Sequence, residues 1–306
     1  MFFEKDKDPD MKIAIMTNSM EARRGVSEKT ALIDCMRKLA DLGYRDLDLS
    51  LTRMMNPDSE FNGDNWEALA CEVRNEADRL GVRFVQGHLP FRKKAYNYND
   101  PEEVAFMQKA TDRSIEIAGI CGAQCMVVHP IRGAAFPAEA VEENIRENMR
   151  VYSHVLEVAH EKNIRLAFEN LPDWPGMGRT FGGVASELIA LIDAYNDPLV
   201  GACWDFGHAN LNYSKDTQVY GIRKLGKRLI AVHVHDNKGK GDDHVVPFSG
   251  NIVWEDVIKA VKDTGFDGYW VPEVTLQNNM PEFLKDDAMR FIDLVARRMI
   301  EMYDRC

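Results

Sequence analysis

The sequence predicts a single-domain α/β protein, a (β/α)8 TIM barrel. Three observations carry this. Short β-rich runs alternate with longer helical stretches along the whole chain, and eight such pairs follow one another about 30 to 40 residues apart. The 306 residues are a length that such barrels fill as one domain. The first strand is followed by TNSMEARRG, which is not the glycine-rich phosphate turn of the rival doubly wound sheet.

Residues 1–10 are charged from Glu4 onward and are read as an N-terminal extension to a barrel spanning 11–306. The first strand is MKIAIMTN, 11 to 18. Its helix has Ser27 as N-cap and Gly43 near its end. RDLDLSL (45–51) is followed by a helix over about 65–80. VRFVQGHLP (82–90) is followed by a helix opening at Asp100-Pro101-Glu102-Glu103, a cap with proline and acids in the first turn. QCMVVHP (124–130) precedes a long helix over about 138–163. IRLAFENLP (164–172) precedes SELIALIDAY, and LVGACWDFGH (199–208) precedes a shorter helix near 216–226. LIAVHVHD (229–236) precedes IVWEDVIKAVKDTG. DGYWVPEVT (267–275) is the eighth strand, closed by a helix over 281–303. The loop 169–183, rich in glycine and proline, lies between a strand and its helix and reads as a functional loop.

Composition narrows the class. Hydrophobic residues are 45% and charged residues 28%, ordinary for a soluble protein. A net charge of −11 argues against a general nucleic-acid surface. No apolar run approaches the ~18 residues of a membrane span, and the charged start carries no secretory signal. The six cysteines form no CxxC, so a reduced, cytoplasmic setting is expected, with Cys203 a small strand residue.

Barrels of this kind carry their sites at the C-terminal ends of the strands. There the sequence places His88, His129, Glu169, Asp205 with His208, His233 with His235, and Glu273; the loop after the seventh strand adds Asp242 and His244. Six of the eight histidines belong to this set; His154 and His160, on a helix, do not. A single histidine at a strand end is more often a satisfied hydrogen-bonding group, and a single acid more often a cap. Repeated on six consecutive strands, the placement points to a divalent cation, which removes the repulsion between neighbouring carboxylates. Three carboxylates with one imidazole suit Mn²⁺, Zn²⁺, Co²⁺ or Mg²⁺, and the further histidines suffice for a multi-zinc cluster. Alternation puts His233 and His235 on one face. Asp48 and Arg53 are read as surface charges, with substrate contact as the alternative.

These stretches resemble the xylose isomerase-like barrels, a family of sugar and sugar-phosphate isomerases and epimerases related to zinc-dependent apurinic endonucleases. GHLPF (87–91), VVHP (127–130), FENLP (168–172), WDFGH (204–208), HVHD (233–236), DDHVVPFSG (242–250) and GFDGYWVPE (265–273) carry the resemblance. It implies an ion held by Glu169, Asp205, His233 and Glu273, Mn²⁺ before the other candidates. It prefers His233, with Asp236 three residues on, to His235, which would line the pocket.

The expected activity is isomerisation or epimerisation of a sugar-derived substrate through a metal-stabilised enediolate, with Glu169 and Glu273 as the acid/base pair. His88, His129, His208, His235, Asp242 and His244 would contact substrate or ligate additional metal, and Trp174 would either stack on a sugar face or pack its loop. The 3-epimerases of the family often carry a second Glu and an Arg where this chain has Pro175 and Gly239. A keto-polyol dehydratase of the same fold is the alternative. A DNA-repair hydrolase is weighed against −11, with Arg23-Arg24 and Lys238/Lys240 its thin support, and a non-catalytic sugar-binding barrel stands as a further class. The expected partner is a small carbohydrate, without nucleic acid or membrane; self-association through exposed helices fits the family.

Overall fold

Alternation along each strand sorts side chains into two sets, and this sorting builds the site. The computed structural model describes residues 12–20, 27–91, 100–131, 137–173, 179–212, 215–276 and 280–306, leaving aside the side chains of 215–217 and 282. Its strands are β1 (Lys12–Ile13), β2 (Ile15–Met16), β3 (Asp46–Ser50), β4 (Arg83–His88), β5 (Cys125–Val128), β6 (Arg165–Glu169), β7 (Val200–Asp205), β8 (Leu229–Val234) and β9 (Tyr269–Pro272). All pair in parallel, in the order β1-β9-β8-β7-β6-β5-β4-β3-β2. The first predicted strand is thus split at Ala14. Its first half pairs with β9 and its second with β3, so the two halves close the ring. A strand flanked on both sides in a tilted barrel shifts its register between neighbours, and here the shift interrupts the ladder at one residue.

On β5 to β8 the outward residues Met126, Leu166, Phe168, Ala202, Trp204 and Val232 join the main core between sheet and helices. The inward residues Cys125, Val127, Ala167, Cys203 and Ala231 form a separate cluster inside the ring. They are small because the interior is narrow, and they make an apolar floor. Two residues further along the same faces stand His129, Glu169, Asp205 and His233. Trp204, Trp254 and Trp270 are fully buried, each contributing roughly 3 kcal/mol of apolar burial. Cys203 is a small residue of β7, as the sequence suggested, and is fully buried.

The helices are α1 (Glu28–Asp41), α2 (Trp66–Leu80), α3 (Pro101–Cys121), α4 (Val141–Lys162), α5 (Ala185–Tyr195), α6 (Phe206–Asn212), α7 (Lys215–Leu225), α8 (Trp254–Thr264) and α9 (Glu282–Arg305). Ser27 caps α1, accepting from Thr30 N at 3.2 Å. Asp100 caps α3, accepting from Glu102 N and Glu103 N, with Pro101 in the first turn. The sequence reading extended the sixth strand to 208. The chain instead turns helical at Phe206, because Asp205 Oδ1 accepts from His208 N at 2.6 Å and caps α6. No helix among the described residues is long and apolar enough to cross a membrane.

Candidate metal centre

Strand register brings Glu169 (β6), Asp205 (β7), His233 (β8) and Glu273 (after β9) to one place at the C-terminal rim. One ligand atom from each lies within 4.8 Å of all the others. His233 Nδ1 is 2.8 Å from Glu169 Oε1, 3.1 Å from Glu273 Oε2 and 4.0 Å from Asp205 Oδ2. Glu169, Asp205 and His233 are buried to 1% exposure or less, and the Glu273 side chain is 23% exposed. Three carboxylates sit here at the edge of an apolar floor, compensated by imidazoles. In the absence of an ion, His233, His88, His208 and His244, all raised above the ordinary imidazole value, carry the positive charge. Burial opposes ionisation of Glu169, yet His233, His129 and His88 hold its carboxyl well below the usual range. Glu273 is likewise lowered against its burial, by His233 and His244. His233 is raised well above its ordinary value, burial being outweighed by the adjacent Cys203 sulfur and by the Glu169 and Glu273 carboxylates.

Two further groups adjoin the first. His88 and His129 point their Nε2 atoms at Glu169 Oε2, at 3.3 and 2.9 Å. On the other side, ligand atoms of His208, His235, Asp242 and His244 lie within 4.8 Å of one another. His235 Nε2 is 3.0 Å from Asp205 Oδ1. His244 Nε2 is 3.0 Å and His208 Nε2 3.5 Å from Asp242 Oδ2. Glu169 therefore sits between the first two groups, and Asp205 touches the third.

The donor chemistry fits a cation. His88, His208 and His244 each donate Nδ1–H to a backbone carbonyl, of Leu89, Asn170 and Glu273 respectively, each at 2.8 Å. In the neutral ring that fixes the tautomer and leaves the Nε2 lone pair toward the carboxylates, as a ligating imidazole requires. His235 Nδ1 and Asp242 Oδ1 are buried without a hydrogen-bond partner. Burial disfavours charge on His208, but Asp205, Asp242 and Glu169 raise it to about 10. His244 rises to about 9 against its burial, through Asp242 and Glu273. Burial takes His129 the other way, down to about 4.

Several sequence expectations change. His233 and His235 do share a face, and both reach the rim: His233 meets Glu169 and Glu273, while His235 meets Asp205. The His235 ring packs against Gly207, where a Cβ would fall 1.9 Å from ring carbon Cε1. Asp236 lies apart from this ring and ties down the following loop. Its carboxylate accepts from Asn237 N, Phe248 N, Ile252 N and Trp254 Nε1. Asp48 is not a surface charge; it is 0% exposed inside the barrel. Gln86, buried beside His233, was missed, because a glutamine inside a strand gives no signal by its type. Trp174, Pro175 and Arg23-Arg24 lie outside the described residues. His154 and His160 stand apart, paired with Asp112 and Asp197.

A closed parallel barrel with oxygen and nitrogen donors gathered at its C-terminal rim defines the class. The chain belongs to the family described as "Xylose isomerase-like TIM barrel", whose profile matches residues 36–294. An uncharacterised protein of Methanocaldococcus jannaschii is 26% identical over 268 residues, 82% of this chain and 88% of that one. Among solved structures, a D-psicose 3-epimerase in the presence of D-fructose superposes with a TM-score of 0.71 at 16% identity, over 95% of this chain and 99% of that one. The IolI protein with a bound zinc atom gives 0.71 at 15%, over 96% and 99%.

Proposed function

We propose that the chain is a metal-dependent isomerase or epimerase acting on a small sugar or sugar-derived substrate. The observation that carries this is the approach of two carboxylates, Glu169 at the end of β6 and Glu273 just after β9, to the same imidazole nitrogen, with Asp205 beside them. The family, and structural similarity to a sugar epimerase and to a zinc-holding barrel, support the reading.

Glu169, Asp205, His233 and Glu273 would hold the cation, which when bound polarises neighbouring substrate oxygens and makes the adjacent C–H more acidic. The protein residues do the rest. A carboxylate takes the proton from the carbon beside the carbonyl, leaving an enediolate, and a second group returns it. Glu169 and Glu273 enter from β6 and from the end of β9, so they suit opposite faces of one carbon. In the metal-free protein the surrounding imidazoles hold both ionised. Buried His88 and His208 and partly exposed His129 surround the Glu169 carboxylate and hold it in place.

The test is a panel of ketoses, aldoses and inositol derivatives with Mn²⁺ in D₂O, read by deuterium entering the carbon next to the carbonyl. Incorporation is expected with at least one member, and Glu169→Gln or Glu273→Gln should lower its rate about 10²–10⁴-fold. A metal-loaded protein that exchanges no substrate hydrogen counts against the reading. Loss of water from a keto-polyol in the same panel would assign the dehydratase alternative.

The flanking donor groups favour one second reading, a multi-ion hydrolase of phosphodiesters. Ten histidine and carboxylate donors in three adjoining groups are more than one ion needs. Metal content together with cleavage of abasic-site DNA separates the two: one ion per chain and no salt-sensitive DNA binding supports the sugar enzyme.

A further inference from the structure

Behind His233, on the side away from the carboxylates, lies a pair of residues that the proposed chemistry leaves unused. Gln86 on β4 is 3% exposed and Asp48 on β3 is 0% exposed. The Gln86 side-chain nitrogen lies 2.8 Å from Asp48 Oδ2 and 3.3 Å from His233 Nε2. Asp48 Oδ1 is buried with no hydrogen-bond partner. An amide and a carboxyl sunk into a barrel interior cost stability unless they are satisfied, and this carboxyl is only half satisfied. A chain of contacts thus runs from Asp48 through Gln86 to Nε2 of the imidazole whose Nδ1 faces Glu169 and Glu273.

We infer that Asp48 and Gln86 are positioning residues for His233, holding its ring so that a bare Nδ1 faces Glu169, Asp205 and Glu273. The inference rests on the ion-binding reading of that ring. In His88, His208 and His244 a backbone carbonyl takes the Nδ1 hydrogen and Nε2 faces the carboxylates. His233 is turned the other way round, and its outward nitrogen meets a side chain instead.

The two ends of an amide are alike in size, so Gln86 can present either to this spot. With its NH₂ inward it donates to Asp48 and to Nε2. The imidazole hydrogen then sits on Nδ1, and His233 cannot ligate through that atom. With its oxygen inward it accepts from Nε2–H and leaves Nδ1 bare. The same oxygen then accepts from a protonated Asp48. Burial raises the Asp48 carboxyl above its ordinary range, against the opposing pull of His233 and His88, which agrees with its keeping that hydrogen. The pair therefore couples one acid hydrogen to the choice of imidazole tautomer.

The probe is Mn²⁺, its affinity measured by chelator competition, with the melting temperature of the metal-free protein as the check on folding. Gln86→Met fills the same space without hydrogen bonds and should weaken Mn²⁺ binding about 10- to 100-fold, in a protein that still folds but melts somewhat lower because the Asp48 carboxyl loses its partner. Asp48→Asn, whose N–H replaces the acid O–H, should stay within about threefold of wild type. A folded Gln86→Met with wild-type affinity overturns the inference, as does an Asp48→Asn loss equal to that of Gln86→Met. If Gln86→Met does not fold, Gln86→Asn, which withdraws the amide by one methylene, carries the same expected loss. A wild type that binds no Mn²⁺ overturns the ion-binding reading itself, a result distinct from the other two.

Discussion

Gly207 shows how tightly single residues set the rim. A methyl group on it would lie 1.9 Å from Cε1 and 2.6 Å from Nε2 of His235, the nitrogen that meets Asp205. Gly207→Ala should therefore move the imidazole off Asp205 and cost about 1–3 kcal/mol of overpacking. Thermal unfolding would show the cost, and metal titration the disturbed third donor group. Glu169 holds the opposite position: removing its charge strips His88, His129 and His233 of one shared partner. The metal-free Glu169→Gln protein is expected to lose stability as well as activity, since a buried carboxylate compensated by several imidazoles leaves unpaired charge behind it. A melting temperature equal to wild type would show that the histidines are neutral in the metal-free state.

At the scale of elements, the loop after β8 shapes the rim as much as the strands do. Asp236 pairs backbone to backbone with Val245, and its carboxylate binds four N–H groups from Asn237 to Trp254. This folds the segment back so that Asp242 and His244 reach the other donors, and His244 Nδ1 donates to the Glu273 carbonyl. Gly250 lets Asp236 approach, since a Cβ there would be 2.1 Å from its Oδ1. Asp236→Ala should cost about 3 kcal/mol, through several stranded buried donors, and should weaken the His208–Asp242–His244 group more than the Glu169 group. Denaturant unfolding and site-resolved metal binding would check both halves. The sequence marks Asp236 by its spacing from His233, which is the family's pattern, but spacing cannot say that an acid beside two histidines faces the loop. Alternation does decide it: residue 236 falls one step out of phase with 233 and 235.

The whole molecule was legible in the sequence where periodicity governs it. Eight strand–helix units, the caps at Ser27 and Asp100, and the polar residues at the strand ends follow from patterns of two and 3.6 residues. What stayed hidden depends on contacts between distant segments. Asp48 looks like any strand-end charge until the ring closes over it. Phe206 looks like more strand because the run stays apolar, and capping by Asp205 appears only in three dimensions.

Charge over the rim also gives a global prediction. His208 at about 10 and His244 at about 9 lie above the ordinary 6.5, so without metal they bind protons more tightly folded than unfolded. Their contribution is complete below pH 6.5 and is lost as pH rises through 9 to 10. Chelator-treated protein should melt progressively lower across that range. Cation affinity should rise over the same range, because the ion must displace those protons. A flat melting profile from pH 7 to 10 would contradict the charge assignment.

Ala14 has a mechanical meaning as well. Four residues, Lys12, Ile13, Ile15 and Met16, sew the ring shut, two pairings on each side, whereas the β3–β4 and β6–β7 seams have longer ladders. A hoop yields sooner at a short stitch than at a long one. Backbone amides of 13–17 should swap their hydrogens for deuterium before those of β6 and β7, marking where the hoop parts.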